Sequence, residues 1–336
     1  MTNTAIEYSF DWAELVFKSK KPLSELKATF IAAPRQISTA RFTQLLKEYL
    51  PKGNIILGVS KEGYVDGFED QPQFAMLQQS AVQGLIDKVN ASSSNKIYTL
   101  SYLQRELSFI IEKITISRAV FINGSWKQSF HTLPIYYALV SKQLPYQLVS
   151  PFASEDEARA YEANTDAAIV EAIHIPLINS DSKSALSEAL SDEAVMQLSD
   201  VVAKQSYDHT FQTGTVLAKK VDAGYTPLAS AFNKVLPYQT YAMHHGASRE
   251  THFSPPNDLN YYDTIHAEML LLVQAQKNGV LLKDTTLFVN LMPCPACSRV
   301  IAETDIAEVV YRIDHSEGYA VNLLTKVGKN IRRIVY

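Results

Sequence analysis

The chain has 336 residues, of which 46% are apolar, 10% aromatic and 20% charged, proportions of an ordinary globular protein that exclude a disordered, collagenous or coiled-coil chain. Its 31 basic and 35 acidic side chains leave a formal charge of −4, so bulk charge carries no footprint of a nucleic-acid binder. No apolar run approaches the ~18 residues of a membrane helix, and the start MTNTAIEYSFDWAELVFKSKK lacks the basic opening and apolar core of a secretory signal, so the expectation is a cytoplasmic protein without membrane contact.

At roughly 100 to 200 residues per domain the length predicts two domains. In chain order, residues 55–68 (IILGVSKEGYVDGF) read as a hairpin and 73–89 as a helix. Residues 96–121 carry the apolar pattern of strand, helix and strand, and 134–149 that of helix and strand. Residues 151–200 then hold 11 acidic and 2 basic side chains among many Ser and Ala, a composition that suits solvated helix faces and a connection. The boundary is placed near 180–190, giving an N-terminal α/β domain over 1–185 and a second domain over 190–336.

The second domain opens with an amphipathic helix near 192–207. Strands at 215–221 and 227–233 follow, joined around Gly224 as an antiparallel hairpin. A long polar and aromatic loop runs from Lys234 to about Thr264. A helix then starts near Ile265 (HAEMLLLVQAQKNG) and stops at Gly279. After it come a buried strand TLFVNL, a helix CPACSRVIAETD, a strand EVVYRI, a helix AVNLLTKVG and a last strand IRRIVY. Helical crossovers between the later strands imply parallel pairing, so the sheet is mixed, with helices packed against it.

The chain has two cysteines, Cys294 and Cys297, three residues apart. Too few for a disulfide framework, they read as a redox pair, half of a zinc site or two buried thiols, and their surroundings decide. Both fall on one face of a helix's first turn, where free N–H groups favour thiolates. One βα unit earlier stands His266-Ala267-Glu268. Two thiolates and one imidazole make three ligands for a soft ion, and zinc with three protein ligands keeps an open position for water. Glu268 is then left to handle protons.

His266-x-Glu268 followed by Pro293-Cys294-x-x-Cys297 resembles the signature of zinc-dependent base deaminases, and the elements over about 195–336 are similar to the cytidine deaminase-like superfamily. The helix before the last strand is closest to the branch of dCMP deaminases, tRNA adenosine deaminases and nucleic-acid editing enzymes. The resemblance implies Zn2+ on His266, Cys294 and Cys297, and Glu268 as the group that moves protons during hydrolytic deamination of cytosine or adenine. It further implies that Asn233, ending the second strand, contacts the nucleotide and that the Ala267 N–H helps hold the base. Asn233 reads equally as a strand-ending turn residue.

The loop 234–264 carries His244, His245, Arg249 and His252 with Tyr238, Tyr241, Tyr261 and Tyr262, raising a second metal site or a strand-stacking clamp against a plain folded loop. Aligned at an offset of 190 residues, 96–121 and 286–311 share their apolar pattern, while Gln104 and Leu107 stand in place of Cys294 and Cys297. This raises a degenerate copy of the same fold, packed as a pseudo-dimer or supporting homo-oligomers, against two α/β domains that merely share strand and helix spacing. The leading expectation is a deaminase acting on RNA or single-stranded nucleic acid, with Lys326, Lys329, Arg332 and Arg333 as modest support. A nucleotide deaminase acting on free dCMP or a related monomer is the alternative. A zinc-stabilised binding module without turnover is the third reading, against which an intact Glu268 speaks.

Overall fold

A computed structural model describes residues 27–32, 35–173, 189–255, 258 and 260–335. The chain forms two compact units, Met1–Glu157 with Met243–Pro256, and Ala158–Ala242 with Asn257–Tyr336. The predicted boundary near 180–190 falls largely on 174–188, outside the described residues.

In the first unit, strands β1 (Ala28–Ala32), β2 (Asn54–Ser60), β3 (Ile97–Tyr102), β4 (Arg118–Ile122) and β5 (Tyr146–Val149) form one sheet in the order β3-β2-β1-β4-β5. All four pairings are parallel. Helices α1 (Thr39–Tyr49), α2 (Gln79–Ser92), α3 (Leu107–Lys113) and α4 (Pro134–Ser141) make the crossovers. Ser38 caps α1 by accepting a hydrogen bond from the Arg41 N–H at 3.0 Å. Strand alternation sorts the core into two layers. Phe30, Ile56, Ala119 and Phe121 meet Ile110 and Ile111 of α3 and Ile135 and Leu139 of α4 on one face. Ile31, Ile55, Leu57, Val120 and Ile122 meet Phe42 and Leu45 of α1 and Val82 and Ile86 of α2 on the other. Both faces are buried, which is why these strands read as apolar runs rather than alternating ones. Each buried Val, Leu, Ile or Phe among them contributes roughly 1.5–3 kcal/mol by leaving water.

Two expectations are corrected here. Residues 55–68 are no hairpin, because β2 lies parallel between β1 and β3. The first unit is α/β as predicted, but it is not a worn copy of the second, because its sheet is all-parallel and ordered differently. Crossover helices place β3 and β4 on opposite sides of the β2-β1 pair, an arrangement that an apolar period shared with the second unit does not encode.

Helix α5 (Glu155–Ile173) carries the chain into the second unit. There Glu162 Oε2 accepts the Gln239 N–H at 2.8 Å and Asp166 Oδ1 accepts the Tyr207 hydroxyl at 2.9 Å. Burial pushes both carboxyls up, so this part of the acidic stretch is packed rather than merely solvated. Helix α6 (Asp192–Ala203) precedes β6 (Gly214–Val221), β7 (Gly224–Phe232) and the short β8 (Lys234–Val235). The predicted loop then contains α7 (Tyr241–His245), α8 (Ser248–Thr251) and β9 (Thr264–Ile265), which pairs antiparallel with β8. Helix α9 (Ala267–Lys277), β10 (Thr285–Leu291), α10 (Pro295–Ala302), β11 (Glu308–Ile313), α11 (Tyr319–Lys326) and β12 (Asn330–Arg333) complete it.

The second sheet runs β12-β11-β10-β6-β7. Strands β6 and β7 are antiparallel, β6 is antiparallel to β10, and β10, β11 and β12 are parallel. This is the predicted mixed sheet between helices. Val195, Met196 and Val202 of α6 cover Val216, Phe288 and Val310 on one face. Leu271 of α9, Ile301 of α10 and Leu324 of α11 cover Leu217, Leu287, Val289 and Val309 on the other. Among the described residues no helix is long and apolar enough to cross a membrane.

Candidate metal centre and active site

Three local devices bring the chemistry together. The β8–β9 pair, with Lys234 opposite Ile265, ends one residue before His266, which is the N-cap of α9. Strand β10 delivers the Met292–Cys294 turn, held by the Met292 N–H donating to the Ile313 carbonyl at 2.7 Å. Cys294 is the N-cap of α10, with Pro295 as its first residue, and its sulfur accepts the Cys297 N–H at 3.5 Å. The Ser298 hydroxyl donates back to the carbonyls of Pro293 and Cys294 at 3.1 and 2.9 Å.

His266 Nδ1 consequently lies 3.5 Å from Cys294 Sγ and 3.4 Å from Cys297 Sγ. The three ligand atoms fall within 4.8 Å of one another, forming the one cluster of three or more metal-type side chains among the described residues. Tetrahedral zinc with ~2.3 Å bonds to sulfur and ~2.0–2.1 Å to nitrogen sets S and N about 3.5 Å apart. The trio has that spacing, so it fits zinc in both donor type and geometry. The Tyr262 ring meets His266 edge-on, with centroids 5.1 Å apart, and the Thr215 hydroxyl reaches the Ala267 carbonyl at 3.4 Å, tying the first turn of α9 to the sheet.

Electrostatics favour one thiolate, Cys294, beside one protonated thiol, Cys297. The Cys294 thiol is pushed down to about 3, foremost by its hydrogen bond with Cys297 and, against burial, by His266. Cys297 moves up, because its proton is held by the Cys294 sulfur and because it is buried. The His266 imidazole is raised chiefly by Cys294. Glu268, in the first turn of α9, is 4% exposed, and burial pushes its carboxyl up while the Cys297 thiol hydrogen-bonds to it.

Asn233 is buried immediately after β7. Its Nδ2 donates to Asp208 Oδ2 at 3.2 Å and to the Phe211 carbonyl at 2.9 Å, and its Oδ1 accepts the Thr213 N–H at 2.8 Å. The side chain thus holds the segment before β6. Ala267 is fully buried as the first residue of α9, where a backbone N–H has no partner within the helix.

Sequence reasoning missed two neighbours. Asn290 accepts the Gly214 N–H at 2.9 Å and donates to the Gln212 carbonyl at 3.1 Å, bracketing the same segment as Asn233. Asp208 accepts the N–H groups of Thr210 and Phe211 at 2.7 and 3.3 Å. An amide inside the apolar run TLFVNL, four residues before Cys294, was the available signal for Asn290. Nothing local marked Asp208.

The loop histidines do not converge. His244 Nδ1 is 2.8 Å from Ser150 Oγ, while His252 Nδ1 is 2.9 Å from the Ser248 carbonyl. The His245 ring meets the His244 ring edge-on, with centroids 4.6 Å apart. Arg249 is buried rather than displayed, and Tyr238 lies under the Arg159 guanidinium at 4.0 Å.

Residues 190–313 match the family described as the cytidine and deoxycytidylate deaminase zinc-binding region. The chain is 30% identical to the deoxycytidylate deaminase of Enterobacteria phage T4 over 107 residues, 31% of this chain and 51% of that protein. It is 35% identical to the deoxycytidylate deaminase of Enterobacteria phage T2 over 60 residues, 18% of this chain and 32% of that protein. The chain thus spans about half, or less, of the length of these curated relatives. Among solved structures, dCMP deaminase from the cyanophage S-TIM5 is similar at 21% identity, with 42% of this chain and 95% of that chain covered and a TM-score of 0.31.

Proposed function

We propose that the chain, whose residues 190–313 match the cytidine and deoxycytidylate deaminase zinc-binding region, is a member of the cytidine deaminase-like superfamily and a zinc-dependent hydrolytic deaminase of a free cytosine nucleotide of the dCMP type. The observation that carries the reading is the His266-Cys294-Cys297 trio at zinc spacing with a buried carboxyl, Glu268, against it. We assign 190–336 as the catalytic domain.

Zinc, when bound, lowers the pKa of water towards neutrality and so supplies a nucleophile. The protein's own groups do the rest. Glu268 accepts a proton from the water and gives it to the ring nitrogen next to the carbon bearing the amino group. It then takes the second proton from that oxygen and passes it to the leaving amine as the carbon–nitrogen bond breaks, so that water is consumed and ammonia released. A carboxyl whose affinity for protons is raised by burial is suited to both directions of transfer. Ala267 offers its free N–H to the base, and Asn233 and Asn290 hold the 206–213 segment beside the strands that deliver the zinc ligands.

Support for a monomer over a polymer comes from the curated relatives' names and from the fate of the basic residues. Arg332 donates to Asp192 at 2.7 Å and to Glu308 at 2.7 Å. Lys329 is bonded to the Thr304 carbonyl, and Arg333 donates to the Arg312 carbonyl at 3.0 Å. Three of the four cations first read as nucleic-acid contacts are therefore engaged within the unit.

The test is ammonia release from dCMP, CMP and cytidine, with tRNA and single-stranded DNA in parallel. Turnover of dCMP by the zinc-loaded chain is expected. Glu268→Ala retains zinc and loses about 10²–10⁴-fold in kcat. Deamination confined to the polymers would overturn the substrate assignment, and an unimpaired Glu268→Ala enzyme would overturn the mechanism.

A further inference from the structure

The acidic helix α5 reads from composition as a solvated connection, yet one stripe of it is packed. Ala158, Thr165 and Ile169 are buried, with Glu162 and Asp166 half-buried between them, the spacing of a single helix face. That face meets later parts of the same unit. The Thr240 hydroxyl donates to the Ala158 carbonyl at 2.9 Å. Both carboxylates of the stripe accept hydrogen bonds, Glu162 from the Gln239 N–H at 2.8 Å and Asp166 from the Tyr207 hydroxyl at 2.9 Å.

Tyr207 is 1% exposed. Burial, then the Asp166 carboxylate, push its pKa up, so the hydroxyl keeps its proton and acts towards Asp166 as a donor. The two neighbours of Tyr207 reach the other way. The Ser206 hydroxyl donates to the Asn233 carbonyl at 2.7 Å, and Asp208 Oδ2 accepts the Asn233 amide at 3.2 Å. Three consecutive residues thus tie α5 to the residue that follows β7. From there the contacts run on to the metal centre. The Thr213 N–H donates to Asn233 Oδ1 at 2.8 Å, and the Thr215 hydroxyl reaches the Ala267 carbonyl at 3.4 Å. Lys234, next to Asn233, faces Ile265, next to His266. The His266 imidazole, raised chiefly by Cys294, also feels the Asp208 carboxylate.

We propose that Asp166 is a positioning residue for substrate binding: through Tyr207 it fixes the 206–208 segment and Asn233 beside the metal centre. Helix α5 is thereby a working part of the catalytic unit, although it precedes the family match at residue 190. The substrate half of this rests on the deaminase reading; the dependence of the segment on Asp166 does not. A buried hydroxyl deprived of its acceptor disfavours the arrangement that buries it. The segment then visits others, the fraction of protein competent to bind substrate falls, and KM rises by the inverse of that fraction. Glu268 and the three proposed zinc ligands sit on other elements, at the starts of α9 and α10, so kcat is largely spared.

The experiment uses the zinc-loaded 336-residue chain, with dCMP kinetics and, in the absence of nucleotide, amide hydrogen exchange across residues 206–213 read by mass spectrometry. Asp166→Ala is expected to raise KM about tenfold, the scale of one hydrogen bond to a charged group. Its kcat and zinc content stay near native, and exchange of 206–213 accelerates. Asp166→Asn, which keeps an acceptor oxygen, recovers most of both effects. Asp166 also lies 3.4 Å from the Gln239 amide and feels the charge of Lys234, so Tyr207→Phe, which removes only the hydroxyl, isolates the contact. It should reproduce both effects and add little when combined with Asp166→Ala, and it decides the matter if Asp166→Ala does not fold. Native KM or native exchange in folded Tyr207→Phe overturns the proposal, as does full additivity in the double variant. If the parent chain does not deaminate dCMP, the function reading fails by itself, and exchange across 206–213 still decides for or against the hold of Asp166 on the segment.

Discussion

Both units place helices on the two faces of a five-stranded sheet, and one stretch of each carries the same order of elements: β3-α3-β4-α4-β5 in the first, β10-α10-β11-α11-β12 in the second. In the second, β10 and β11 are neighbours; in the first, β3 and β4 are separated by β2 and β1. Apolar periodicity reports that a strand or helix has a buried face, and says little about which strand it lies beside. The chemistry diverges at equivalent points too. Where α10 opens on Cys294, α3 is preceded by Gln104, whose amide donates to the Tyr64 carbonyl at 2.8 Å and accepts the Asp66 N–H at 3.1 Å. One helix entrance prepares a metal ligand, and the other pins a loop.

The sharpest way to break this contrast is to make the second unit resemble the first at its metal centre. Cys297→Ala removes one of the three proposed ligands, so zinc content and deaminase turnover are expected to vanish together, with a lowered midpoint of thermal unfolding. Metal analysis alongside activity checks this, and full zinc occupancy would show that the ligands are wrongly named. Asn233→Ala comes next: leaving Asp208, Phe211 and Thr213 without their partner should cost about 1–3 kcal/mol in denaturant unfolding. A variant with native stability but a raised KM would instead mark Asn233 as a nucleotide contact.

The corresponding probe of the first unit is Gly58 in β2. A Cβ there would sit 2.7 Å from the Tyr102 ring and 2.9 Å from the Phe30 ring, on the two flanking strands. Gly58→Ala should therefore destabilise by about 1–3 kcal/mol through overpacking, with zinc content unchanged, as measured by chemical denaturation and metal analysis. The smallest effect is expected at Arg332, which holds the Asp192 carboxyl below its ordinary value of 3.8. A depressed acid contributes stability above its unfolded pKa and loses that contribution as pH falls through the folded one. Arg332→Met should lower stability by under about 1 kcal/mol at neutral pH, the pair being partly exposed, and the gap should close on acidification below about pH 4. A gap that stays constant with pH would assign the effect to packing.

Legibility followed how local each cause was. The β11 span was read to the residue, and α9, β10, α10 and α11 to within a few, because each is bounded by its own turn and cap. Cys294 at an N-cap and Cys297 one turn later are consequences of four consecutive residues. The β1 strand was missed, since ATFIA is short and buried on both faces and so offers no alternation to read. The loop histidines drew attention by composition alone, yet their partners, Ser150 and the Ser248 carbonyl, show them serving the fold. Asp166 drew none, because its partner Tyr207 is remote in sequence.

By itself, the sequence determined the α/β class of both halves, the helix-borne His266, Glu268, Cys294 and Cys297, and the soft-metal chemistry those residue types imply, because each follows from spacing within a turn or two. Tertiary structure alone decided that the trio closes to 3.4–3.5 Å, that Asn233 and Asn290 bracket one segment, that the N-terminal sheet is all-parallel, and that Asp166 of α5 meets Tyr207. Those outcomes depend on which distant surfaces bury one another, a choice made by the summed packing of the whole chain rather than by any stretch of it.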